Sequence, residues 1–247
     1  MPEGEPGPDW ASAPLLGGGA LAIWNGIDES DEVEFNAWHT QQHLPERVSI
    51  PGFLRGRRYV NASGVGPTDG GRYFTLYEVR ELETLASPPY LRRLDRPTPW
   101  TARMVSRFRN SRRTAYRVAT SRGSGAGGWL STIVVQPLEN RAAPVHEVLT
   151  GRLLPELLDR RSGLVAVHLL EPDTAVTEAK ASTAEGRAAA PAQLSARWAL
   201  LLEGLFAADV REAAAALVGG ISRELVHPAD VNLYQLQVAV AASGEER

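Results

Sequence analysis

Apolar residues along the chain come in short blocks, and the spacing inside the blocks changes from one segment to the next. "ALAIWNGI" (20–27) has the density of a buried strand. Asp28, Glu29 and Ser30 then offer capping side chains, and a helical spacing runs from about Asp31 to Leu44. Pro45 removes one helical hydrogen bond, so a kink there, or a restart with Pro45 in a first turn, is expected. Pro51-Gly52 closes the segment. "FLRGRRYVNA" (53–62) and "RYFTLYEVRE" (72–81) read as strands about a Gly-rich turn. Residues 82–108 are largely helical, with breaks at Pro88-Pro89 and in "RPTPW" (96–100), and "RTAYRVATS" (113–121) is a fourth strand. The order β-α-β-β-α-β is the ferredoxin-like unit.

After "RGSGAGG" (122–128), a linker by composition, the pattern begins again. Strands are expected at 129–138, 164–170, 196–205 and 232–241, and helices at 144–163 and 209–220. An Ala/Thr/Glu-rich stretch over 172–194 is expected to be a flexible excursion. Leu44-Pro45-Glu46 recurs as Leu154-Pro155-Glu156, 110 residues on. Gly52 has its counterpart in Gly163, and Glu78 in Glu203, on matching elements. The chain therefore divides into a disordered tail (1–18), a first repeat (19–121), the linker, and a second, degenerate repeat (129–242). Two such units bury faces that neither covers alone when they pack sheet against sheet. The fold class expected is α+β, two tandem ferredoxin-like units forming a pseudo-dimeric α/β barrel.

Composition narrows the function classes. A net charge of −3 over 247 residues gives no general attraction for nucleic acid or an anionic membrane. Basic residues are arginines apart from Lys180, a bias ascribed to genome composition. The absence of cysteine excludes disulfides, zinc ribbons, Fe–S ligation and thiol nucleophiles. The N-terminus lacks a secretory pattern, and no apolar run approaches the ~20 residues of a membrane span. A soluble, cytoplasmic protein is expected. No glycine-rich loop sits between a strand and a helix, and there is no Gly-x-Ser-x-Gly elbow.

The segment "EFNAWHTQQHLPERVSIPGFLRGRRYV" (34–60) concentrates the candidate chemistry. It resembles the signature of EthD-type proteins of the dimeric α/β-barrel superfamily in Phe35, Trp38, His43, Pro45, Pro51, Gly52, Arg58, Tyr59 and Val60. It departs from that signature in His39, an extra histidine one turn earlier, and in its tandem form. The resemblance implies a pocket between sheet and helices. Among the relatives are decarboxylases, cyclases, isomerases, cofactor-free monooxygenases and haem enzymes.

Spacing places Phe35, His39, His43 and Glu46 or Arg47 on one helical face. At the same positions the second repeat has Leu149 for His39, Leu153 for His43 and Leu157 for Arg47, with only Glu156 still polar. A slot that takes leucine in one copy faces the interior. A polar cluster there costs about 1–3 kcal/mol for each unsatisfied group unless it is paired or wet, which argues for a pocket in the first repeat. Three readings follow: an acid–base pair, a metal pair, or histidines that only terminate the helix. Metal binding needs Glu46 as its third ligand, which holds only if Pro45 does not turn that side chain away, and the His-Glu-x-x-His pattern is absent. Acid–base chemistry suits the set better. His43 is then the general acid/base, His39 its partner, Glu46 the orienting carboxylate, and Arg58 or Arg57 the anion holder. Trp38, Tyr59, Tyr73 and Trp100 are candidate substrate contacts, with Tyr77 on the face of Tyr73.

The expectation is a small-molecule enzyme acting without a bound cofactor on an apolar or aromatic carbonyl or phenolic compound. A non-catalytic binding protein and a haem- or metal-dependent oxygenase are the alternatives. The partner expected is the small-molecule substrate, with no nucleic acid and no membrane, and with pairing of two tandem barrels into a homodimer left open.

Overall fold

The structure is a computed structural model that describes residues 14–62, 71–160, 163–188 and 197–243. The first repeat comprises β1 (Gly19–Gly26), α1 (Glu32–Trp38), a π-helical turn (His39–His43), α2 (Leu44–Val48), β2 (Phe53–Asn61), β3 (Tyr73–Val79), α3 (Pro88–Asp95), α4 (Pro99–Val105) and β4 (Arg109–Gly123). The second comprises β5 (Trp129–Val135), α5 (Ala142–Val148), a second π-helical turn (Leu149–Leu153), α6 (Leu154–Arg160) and β6 (Leu164–Pro172), then α7 (Thr174–Glu178), α8 (Ala184–Ala188), β7 (Trp198–Gly204), α9 (Ala207–Gly220) and β8 (Asp230–Ala241).

The eight strands close in the order β1-β3-β2-β8-β5-β7-β6-β4, every pairing antiparallel. Each repeat supplies four adjacent strands. The free edges join crosswise, β2 to β8 and β4 to β6, so no edge is left to pair with another molecule. β1, β5, β6 and β7 read as nearly continuous apolar runs because both of their faces are covered. Ala20, Ala22 and Trp24 of β1 point into the barrel, while Leu21 and Ile23 pack under the helices. The interior is filled by Trp24, Tyr59, Phe74, Tyr116 and Tyr234, so the barrel is a core and not a channel. Tyr116 and Tyr234 occupy matching places, opposite Ala20 in one repeat and Leu130 in the other.

Pro45 falls in the first turn of α2, the second of the two expected outcomes. The backbone N–H of Leu44 reaches the carbonyl of His39, five residues back, and this wider turn delivers the chain to Pro45 without a break. The second repeat makes the same turn at the same place before Pro155. The expected breaks at Pro88 and Pro99 are helix starts. Ser87 and Thr98 accept from the N–H groups of Tyr90 and Thr101, and a proline occupies the first turn of each helix. Gly56 lets α2 lie close on the sheet, since a Cβ there would meet Leu44 Cδ1 at 2.7 Å and Val48 Cγ2 at 3.0 Å.

Of the expected disordered tail, residues 1–13 lie outside the described residues. Leu15 is buried in the barrel interior, and the Leu16 N–H donates to Glu78. The stretch expected as a flexible excursion forms α7 and α8 as far as residue 188, with 189–196 outside the described residues. Asp173 caps α7 through Val176 N, and the Asp173 and Thr177 groups bond the backbone of Ala115 at 2.9 and 3.0 Å. Those bonds fasten a second-repeat segment over the helix-covered face of the first repeat.

Candidate functional site

The site lies outside the barrel wall, under the α1–α2 helix of the first repeat. Packing against the sheet buries Phe35, Trp38, His39, His43 and Arg47 from the helix, opposite Arg58, Tyr73, Thr75 and Tyr77 from β2 and β3. His43 stacks on Trp38, ring centroids 4.2 Å apart, and lies 5.4 Å from His39. The Trp38 indole N–H donates to Thr101 Oγ1 at 3.2 Å, fixing the ring on which His43 rests. His39 sits deeper, its Nε2 3.5 Å from Thr75 Oγ1 and its ring against Phe35. The Nδ1 atoms of both histidines, Nη1 of Arg47, Nε and Nη1 of Arg58 and the Tyr77 hydroxyl are buried without a hydrogen-bond partner.

His43 opens onto a cavity of about 50 Å³, lined also by Arg47, Tyr77, Tyr90, Arg113, Lys180 and Glu185 among apolar side chains. That volume holds a few water molecules. Lys180 and Glu185 come from the α7–α8 segment of the second repeat, and Glu185 pairs with Arg47, 138 residues away. Arg113 donates to the Tyr90 hydroxyl at 3.2 Å and to the Thr177 carbonyl at 3.3 Å.

Burial, then the fields of Arg58 and Arg47, hold His39 well below its ordinary pKa. Burial, then Arg47, His39 and Lys180, do the same to His43. Both imidazoles are therefore free bases at neutral pH. Burial and the field of Arg113 pull Lys180 down to about 8. Burial lowers Arg58, which forms no ion pair among the described residues and lies over the rings of Phe35 and Tyr73 at 5.7 and 5.6 Å.

Several residues expected in one site are separated. Glu46 turns away from the histidines, bonding Gln42 at 3.2 Å and pairing with Arg93 at 2.9 Å. Arg57 and Tyr59 point into the barrel, on the opposite side of β2 from Arg58. There Arg57 binds Glu203 at 2.8 Å and Glu78 at 3.0 Å. Trp100 donates to Glu34 at 3.1 Å and packs at the margin of the Phe35–Trp38 cluster. Tyr73 donates to Glu32. His39, His43, Trp38, Arg58 and Tyr73 are brought together.

Tyr90, Arg113, Lys180 and Glu185 join the site without having been proposed for it, and Arg47, placed on the histidine face but given no role, joins it too. Arg47 carried a signal, standing where the second repeat has Leu157. Lys180 carried one as the chain's only lysine.

In the second repeat the same slot is a plain core. Leu149, Leu153 and Leu157 pack with Val145, Leu154, Val167 and Leu217. Among the described residues no three His, Asp or Glu side chains gather as ligands. With Lys180 and Glu185 in place, the cavity beside His43 is far smaller than the about 300–1,000 Å³ that a drug-sized group takes. His168, the other buried histidine, is engaged on both nitrogens, with Ser121 Oγ at 3.0 Å and Glu203 at 3.1 Å.

This architecture is that of the dimeric α/β barrels, with both halves on one chain. Solved structures share it across nearly their full length at very low identity. A putative monooxygenase from Fusobacterium nucleatum has a TM-score of 0.59 and 7% identity, covering 94% of this chain and 98% of its own. An anthrone oxidase-like protein has a TM-score of 0.60 and 13% identity, with 92% and 93% covered. A haem-binding protein from Thermus thermophilus has a TM-score of 0.53 and 11% identity, with 91% and 94% covered. No family model and no curated protein matches the chain. At these identities the likeness is one of fold. No helix among the described residues is long and apolar enough to cross a membrane.

Proposed function

We propose that the chain is a small-molecule enzyme in which His43 moves a proton, without a bound cofactor, on an enolisable or phenolic carbonyl compound. The observation that carries this reading is His43 itself, a free-base imidazole at the cavity wall where the second repeat has Leu153. Neutral His43 accepts the acidic C–H or O–H proton, and the cations around it favour the enolate or phenolate that forms. That anion in turn raises the basicity of His43, so a histidine held low in the free protein gains affinity for the proton as the substrate ionises. His39 acts behind it, and Trp38 holds the His43 ring. Returning the proton to another atom is an isomerisation. With dioxygen as co-substrate, a CH₂ group becomes C=O and the second oxygen atom leaves as water. The anthrone oxidase-like neighbour supports an aromatic carbonyl of this kind, and the monooxygenase-like neighbour supports the oxygen-consuming outcome.

The test uses phenylpyruvate and anthrone as enolisable probes, following solvent-deuterium incorporation by NMR together with oxygen uptake. His43→Leu, a residue the equivalent slot already accommodates, is expected to lower exchange on the order of a hundredfold. Exchange on both probes unchanged in that variant overturns the reading.

A further inference from the structure

Charge around the cavity is unbalanced. Arg47, Arg113 and Lys180 line it, and Arg58 lies behind His39, against one carboxylate among the described residues, Glu185. The buried ionic group inside the barrel shows the contrasting case. There Arg55 and Arg57 face Glu78 and Glu203, two against two, at 2.8–3.0 Å. Nothing comparable neutralises the site. Arg47 is 3% exposed with Nη1 unpartnered, Arg58 is 4% exposed with two unpartnered nitrogens, and His39 and His43 each keep an unpartnered Nδ1. Burying cations without counter-charge is expensive, and a site built this way is completed by an anion.

The single carboxylate is delivered in an unusual manner. Glu185 is 3% exposed, yet it sits on the five-residue helix α8, at the far end of a segment that leaves β6 and crosses onto the other repeat. Polar contacts hold this segment: the Ala115 backbone bonds, Arg113 to Thr177, Ala184 N to Asp95 at 3.1 Å, and Glu185 to Arg47. Beside these bonds Val176 packs on the apolar cluster of Leu21, Tyr77 and Leu94, and a short two-helix segment held largely by hydrogen bonds belongs to the readily opened part of a fold. With it in place the cavity, about 50 Å³, has room for nothing larger than a few water molecules.

We infer that this pocket takes a small organic carboxylate with an apolar body, and that Glu185 is its internal surrogate. The incoming carboxylate takes the place of the Glu185 carboxylate on Arg47, within reach of Lys180 and Arg113. The displaced residues 174–187 then lift to admit the rest of the ligand against Leu21, Ile23, Leu94 and Phe108. This reading rests on the pocket under Proposed function and narrows its substrate to an anionic one.

Benzoate and its neutral isostere benzamide are suitable probes, with binding followed by calorimetry and cover motion by hydrogen exchange of 174–187. Wild-type protein is expected to bind benzoate in preference to benzamide, with faster exchange of the cover in the complex. Glu185→Gln, which keeps the shape and removes the competing charge, is expected to tighten benzoate about tenfold. Lys180→Met is expected to weaken it by a similar factor. Equal affinity for the two probes, or an unchanged or weaker benzoate affinity in Glu185→Gln, overturns the inference. Phenylpyruvate exchange by His43→Leu keeps the two readings apart. If His43 is needed for exchange but benzoate does not bind, only the anion site falls. If benzoate binds as stated but exchange survives the loss of His43, only the acid–base role falls.

Discussion

Arg57 of β2 reaches across the barrel interior to Glu203 of β7, closing on both carboxylate oxygens at 2.9 and 2.8 Å and so joining one repeat to the other. Glu203 also accepts from Gly127 N at 2.9 Å and contacts His168 at 3.1 Å. Burial opposes its ionisation, but the field of Arg57 and the bonds from His168 and Arg57 outweigh that and hold the carboxyl far below its usual range. Removing one partner strands a buried charge. Glu203→Gln is expected to lose about 3–5 kcal/mol in urea unfolding followed by circular dichroism. The loss belongs to the whole barrel, so a single transition is expected to move to lower urea with its slope retained.

Stability is expected to fall on mild acidification because of the two histidines. Their folded pKa values lie below the ordinary value of 6.5, so the unfolded chain binds protons first as pH drops. The stabilisation of the neutral forms is complete above 6.5 and is lost as pH falls toward the folded values, by up to about 1.4 kcal/mol per histidine per pH unit. His39→Leu is expected to flatten the dependence of Tm on pH between about 7.5 and 5, and to raise Tm at the upper end. Thermal melts across that range check both effects.

Gly56 sets the distance between helix and sheet at the site. Gly56→Ala would place a methyl 2.7 Å from Leu44 and 3.1 Å from Tyr77, forcing α2 outward. A loss of about 1–3 kcal/mol is expected, with a larger proportional loss of deuterium exchange on phenylpyruvate because His43 and Arg47 ride on the same helix. Denaturant titration beside exchange kinetics separates the two.

Lys180 supplies a chemical readout of the cover. Burial and the field of Arg113 disfavour its ammonium form, so its amine is expected to become reactive through a midpoint near pH 8 instead of the ordinary 10.5. It is the chain's only lysine. Acetylation followed by peptide mass analysis therefore reports this one side chain, and Glu185→Gln is expected to speed its labelling.

The sequence carried the architecture because β1, β5, β6 and β7 declare themselves as doubly buried apolar runs and α3 and α4 through Ser87 and Thr98 followed by proline. The recurrence of Leu-Pro-Glu marked two copies of one unit, and the leucines opposite His39 and His43 marked which copy holds the pocket. Two features were not visible. A simple 3.6-residue period leaves Glu46 and Arg47 equally placed. The π-helical turn shifts the later residues against the earlier ones, so Arg47 is buried while Glu46 faces Arg93. The contact of Glu185 with Arg47 spans 138 residues and has no local pattern at all. Composition alone made that segment read as loose chain, because Ala, Thr and Glu do not announce a partner that lies in the other repeat.

Residues 124–128 run from β4 straight into β5, and this short bridge governs how the molecule can change. In a barrel built from two identical subunits, every substitution appears twice, and dilution can take the halves apart. Here assembly is unimolecular, so dilution exerts no such pull. A histidine can enter one half while the other keeps leucine, and one half can grow a segment that serves only its neighbour. The bridge turns a symmetric scaffold into one framework half and one working half, each free to vary on its own terms.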